Sequence, residues 1–111
     1  MLSVVAGMLP RMPEEAWEDL VERTRGGDVT PGKMFGCEGL RTGRKFFAIW
    51  WHDQLVVKLP ADRLQGLVAA GQAEVFEPME GRPMNGWALL RESVEWDPVV
   101  AEARNHVAAQ Q

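Results

Sequence analysis

Cysteine occurs once in the 111 residues, at Cys37, which rules out an intramolecular disulfide and any all-cysteine metal site. A reducing, cytoplasmic setting is expected. Histidine occurs only at His52 and His106, so Cys37 has few bases to draw on as a nucleophile. Basic residues are also short: 12 Lys and Arg against 16 Asp and Glu, a net charge of −4. That balance argues against a protein whose main task is gripping nucleic acid phosphates. The apolar opening MLSVVAGMLP has no charged n-region, is followed at once by Arg11 and Pro13, and is too short to span a bilayer. Phosphate-cradling loops of Walker type, internal repeats and low-complexity tracts are missing too. What stays within these bounds is one domain, residues 1–111, with one modest core. Its body is expected over residues 13–107, with 1–12 as an arm or short strand and 108–111 as a frayed tail.

The clearest stretch present is Arg44–Leu59, RKFFAIWWHDQLVVKL. Two β-branched and aromatic runs flank His52-Asp53, which predicts an antiparallel hairpin pairing Trp51 with Gln54, Ile49 with Val56 and Phe47 with Lys58. Strict alternation places Phe46, Ala48, Trp50, Leu55, Val57 and Leu59 on a core face. It places Lys45, Phe47, Ile49, Trp51, Gln54, Val56 and Lys58 on the other. That second face is apolar in its middle and polar at its margins. Phe47, Ile49, Trp51, Val56 and Lys58 are therefore the candidate interaction surface. Arg41, Arg44 and Lys45 are the candidate anionic contact, because residues 30–66 hold six basic and three acidic groups; a solvated strand edge is the plainer reading.

Around this hairpin the pattern is regular. Pro13–Arg25 reads as a helix burying Trp17, Leu20 and Val21, with its acidic side in solvent. Thr30-Pro31-Gly32 reads as a turn, Lys33–Leu40 as a strand, and Arg41–Arg44 as a tight turn. A helix from Pro60 is capped by Gly71. Strands Ala73–Phe76 and Gly86–Glu92 flank a loop rich in Pro, Gly and Met, and a last helix begins at Asp97-Pro98. The order helix, three strands, helix, two strands, helix predicts an α+β domain: an antiparallel sheet with helices mainly on one face. Trp51 and Trp87 are the tryptophans expected near the surface, while Met34, Phe35 and Leu40 are expected in the core.

The run Met34-Phe35-Gly36-Cys37-Glu38-Gly39-Leu40 resembles the M-F-G-G-x-G-L signature of the TfoX N-terminal domain family. The likeness continues through Phe46-Phe47-Ala48, Asp53–Lys58, Phe76-Glu77-Pro78 and Gly81–Trp87. Cys37 stands where the family has its second glycine, and Trp87 where tyrosine is common. The resemblance implies a secretion-chaperone-like α+β fold and a cytoplasmic, bacterial, non-enzymatic protein. It further implies a regulatory role in competence or transcription, and the mixed face of the hairpin, of a kind normally covered in a soluble protein, is expected to act by contact with a protein partner or a second copy in a homodimer. Neither a cofactor nor a metal is implied. The competence regulators carry a further C-terminal domain, so their transcriptional role is not expected to transfer whole. The MmcQ/YjbR-like proteins, presumed DNA binders, are similar in layout, and DNA binding is the alternative function. Gly36 and Gly39 have their own physical reading: backbone conformations or close approaches that a β-carbon would block.

Overall fold

The fold was read from a computed structural model of the chain, which describes residues 13–92 and 94–110. The expected N-terminal arm, residues 1–12, lies outside the described residues. The elements are α1 (Pro13–Thr24), β1 (Val29–Met34), β2 (Cys37–Thr42), β3 (Lys45–Trp51), β4 (Gln54–Lys58), α2 (Ala61–Ala69), β5 (Ala73–Val75), β6 (Trp87–Leu90) and α3 (Trp96–Ala108). The six strands form one antiparallel sheet in the order β1-β2-β3-β4-β6-β5. The α+β class and the alternation of helices with strand runs are as the sequence predicts. The first run begins earlier, at Val29, and holds four strands. Pro31, read as a turn residue, lies within β1, an edge strand that tolerates a residue without an N–H.

The three helices among the described residues pack on one face of the sheet. Trp17 of α1 stacks on Trp50 of β3, with ring centroids 5.6 Å apart and planes within 9°. Trp96 meets the same ring edge-on at 5.7 Å. Around these rings Leu20, Leu40, Leu55, Val57, Leu59, Val100 and Val107 are almost wholly removed from water. The helix layer is tied together by Arg23 to Asp97 (2.9 Å) and by the two-oxygen contact of Arg63 with Glu102 (3.0 Å). These pairs are largely solvated, so the apolar packing beneath them dominates.

Local chemistry sets the element ends. α2 closes in a Schellman arrangement: Gly71 (φ 74°) donates to Val68 O at 3.0 Å, and Gln72 donates to Leu67 O at 2.9 Å. Gly71 is thus the helix terminator that its position predicts. α3 ends at Ala108, the first residue of the tail expected to fray. Asp28, in the loop before β1, accepts from Thr42 Oγ1 at 2.9 Å and from Arg104 of α3 at 3.2 Å. The Thr42 hydroxyl first, and the Arg104 guanidinium second, hold its carboxyl below the ordinary value. Among the described residues no helix is long and apolar enough to cross a membrane.

Candidate functional site

The hairpin at the centre of the sheet pairs Trp51 with Gln54 and Ile49 with Val56, as alternation predicts. His52 (φ 46°) and Asp53 (φ 64°) form its two-residue turn, both left-handed as a type I′ turn demands. The sorting of side chains holds from Ala48 to the turn and then fails at one point. Leu40 pairs with Ala48 but Arg41 pairs with Phe46, so Phe47 is an extra residue, a β-bulge. The bulge exchanges the two phenylalanines. Phe47 turns to the helix side and is wholly buried, while Phe46 turns to the opposite, outer face and is half-buried.

Two glycines explain why Phe46 fits there. Gly32 and Gly39 face each other across β1 and β2. A β-carbon on Gly39 would stand 3.0 Å from the Phe46 ring and 2.8 Å from the Ala48 carbonyl oxygen; one on Gly32 would stand 3.1 Å from the same ring. The phenyl ring therefore lies on a floor that only glycine leaves open. Arg41 closes the stack, its guanidinium 5.8 Å from the ring centroid. Gly39 serves close approach and Gly36 (φ 73°) serves the β1–β2 turn, so the glycines of the motif do different work.

The expected interaction surface needs three corrections. Phe47 is sealed beneath the helices by the bulge. Ile49 and Val56 do face away from the helices, yet both are fully buried. What covers them is the connection between β5 and β6, which folds back over the sheet. Phe76 donates to Trp87 O at 2.8 Å, Met84 to Phe76 O at 2.8 Å, and Trp87 to Met84 O at 3.2 Å. These bonds lay Phe76 and Met84 against Ile49 and Val56 as a second, smaller core. Trp87 belongs to that core and is 5% exposed, against the expectation of a surface position.

Trp51 and Lys58 stay half-exposed. Trp51 meets Phe76 edge-on at 5.2 Å and stacks with His52 at 4.4 Å. Lys58 Nζ lies 5.6 Å from the Trp87 ring centroid. Around them Met34, Cys37, Phe46, Met84 and Leu89 are partly covered. Sequence reasoning missed Phe35, assigned to the core. It occupies the β1–β2 turn at φ 56° and is 56% exposed. A bulky side chain in the left-handed region costs about 1–2 kcal/mol, here without core packing in return. The only signal for it in the sequence is Gly36, which follows it as the second residue of a type I′ turn. Met79, 64% exposed, stands in the β5–β6 connection.

The outer face thus presents a partly covered apolar field with a cation over an aromatic ring at each side. Arg41 and Lys58 have no carboxylate partner among the described residues, and the buried Nε of Arg41 has no acceptor. Arg41, Arg44 and Lys45 do not converge. Arg41 lies on the outer face and Arg44 stands in the β2–β3 turn, while Lys45 reaches the end of α3, 3.4 Å from Gln110 O.

Cys37 is half-buried on the outer face, level with Trp51 by the Gly39–Ile49 register. Its neighbour Glu38 points to the other side of the strand, with Trp17 Nε1 3.5 Å away. Among the described residues no group of three or more His, Cys, Asp and Glu is placed to hold a metal ion.

Neither a curated protein nor a solved structure matches the chain. The family model for the TfoX N-terminal domain matches residues 19–103, from within α1 through most of α3. That span takes in the glycine floor, the bulged hairpin and the covering connection, and the chain belongs to the TfoX N-terminal domain family.

Proposed function

We propose that this protein is a non-enzymatic, cytoplasmic regulatory protein that works by binding a protein partner on the outer face of its sheet. The observation that carries this reading is the placement of Arg41 and Lys58. Each lies over an aromatic ring, and neither is neutralised by a carboxylate among the described residues. Phe46 lies between them, Met34, Cys37 and Trp51 lie further along the same face toward the hairpin turn, and Phe35 is exposed at the margin. A matching surface is apolar in its middle and acidic at its ends. The acidic side of α1 does not meet that description, because its apolar residues Trp17 and Leu20 are buried. The occupant is therefore an acidic, apolar segment of a different protein, consistent with a regulatory role in competence or transcription for this family.

DNA binding of the MmcQ/YjbR type is the second reading, since cations beside aromatic rings also suit nucleic acid. The net charge of −4 and the divergence of Arg41 from Lys45 weigh against it. Fluorescence anisotropy with labelled single-stranded and duplex DNA separates the two. The expected result is no binding at low salt. Binding that weakens steeply with salt and is lost in Lys58→Glu would replace the protein-contact reading with the DNA one.

A further inference from the structure

Among the described residues no strand pairs with the side of β5 away from β6, and this edge shows a second surface, on the helix side of the sheet and independent of the outer face. Arg91 donates to Gln72 O at 2.9 Å and Phe76 donates to Trp87 O at 2.8 Å, so Gln72 and Phe76 turn their main-chain groups toward β6. By antiparallel alternation, Ala73 and Val75 turn theirs away from the sheet. Beside this edge, Val75 (41% exposed) and Val68 of α2 (40% exposed) continue an apolar strip from Leu64. They line a groove of about 440 Å³ between α2 and the start of β6. The opposite edge of the sheet differs: β1 carries Pro31, which blunts it against strand addition.

A two-fold axis lays a surface on its own image, so a self-pairing surface must carry no excess of one charge. The α2–β5 surface meets that condition, because none of the residues lining the groove is charged and Glu74 on the β5 edge is balanced by Arg91 of the same copy. The outer face does not, since Arg41 and Lys58 would be set against cations of the same kind. Charge thus separates the two surfaces by occupant.

We propose that the β5 edge and the α2 strip form a two-fold interface with a second copy of this chain. β5 pairs antiparallel with its own image about Glu74. Ala73 then lies opposite Val75 of the second copy, and Val75 opposite its Ala73. Each pair exchanges both main-chain bonds, about four in all, and the sheet becomes continuous through both copies. Glu74 faces its counterpart across the axis. In each copy Arg91 stands 3.2 Å from that carboxylate and offsets the like charge. Val68 and Val75 of both copies meet over the helix side of the joined strands.

Sedimentation velocity with light scattering on the full chain tests this. The wild type is expected at twice the chain mass of 12.4 kDa. Val68→Glu changes a half-exposed residue on the strip, and Val75→Pro removes an N–H that points away from β6. Both are expected to keep the wild-type circular dichroism and halve the mass. Should Val68→Glu fail to fold, Val75→Pro carries the test alone. A monomeric wild type, or a dimer that survives either folded variant, overturns the proposal.

Discussion

Phe47→Ala is expected to lower the free energy of unfolding by about 3–5 kcal/mol, the range for emptying a fully buried aromatic site. The bulge drives Phe47 into the main core, where it is completely buried among residues that the helices cover. Phe46→Ala is expected to cost distinctly less. Its ring is half-exposed on the outer face and rests mainly on the Gly32–Gly39 floor. Urea unfolding of the two variants side by side reads the difference directly. Strict alternation requires the reverse ranking, with Phe46 the costlier loss. A larger effect from Phe46→Ala would therefore place the bulge elsewhere and return Phe47 to the outer face.

Gly39→Ala is the second large effect, expected to cost about 1–3 kcal/mol through overpacking. The new methyl would stand 2.8 Å from the Ala48 carbonyl oxygen, a backbone atom of the neighbouring strand. It would also stand 3.0 Å from the Phe46 ring, which can swing away while the carbonyl cannot. Gly32→Ala is a graded control. Its nearest atoms, at 3.1 and 3.2 Å, belong to the side chains of Phe46 and Arg41. The smaller expected loss at Gly32 separates a backbone collision from a displaced ring. Equal losses would mean that the glycine floor acts only through Phe46.

The same residues show how far the sequence could be read. Turn chemistry at His52-Asp53 placed the register of β3 on β4, and with it the faces of Ala48 through Val57. Gly71 marked the end of α2, and the helical stripe of Trp17 and Leu20 together with the strand face of Trp50 marked the helix-facing core. The bulge left little trace, since Phe46 and Phe47 are equally apolar and alternation offers no reason to insert a residue between them. The floor that receives Phe46 lies on the two preceding strands, where Gly32 and Gly39 meet only after β1 and β2 have paired. Pro31 and Phe35 misled for opposite reasons. A proline inside a strand is tolerated only at an edge, and the edge is a property of the whole sheet. A phenylalanine is not a turn residue by preference, so the turn at Phe35-Gly36 was hidden inside an apparent strand. The connection between β5 and β6 was legible as a loop but not as a cover. Its contact with Ile49 and Val56 depends on three main-chain bonds that no local pattern announces.

These corrections narrow the proposed contact surface without removing it. Once Phe47, Ile49 and Val56 are placed in the two cores, what remains open is a smaller field bounded by Phe35, Trp51, Arg41 and Lys58. Trp51 is braced by Phe76, which makes Phe35 the better probe: its exposed ring can be replaced without emptying a core.

Site-specific photo-crosslinking in cells tests the central claim most directly. A benzophenone side chain at Phe35 is expected to give a discrete adduct with another protein, weakened when Lys58→Glu is combined with it. The same group at Glu18, on the exposed acidic side of α1, is expected to give none. Adducts from Glu18 but not from Phe35, or a Phe35 adduct indifferent to Lys58→Glu, would contradict the assignment of the outer sheet face as the binding surface.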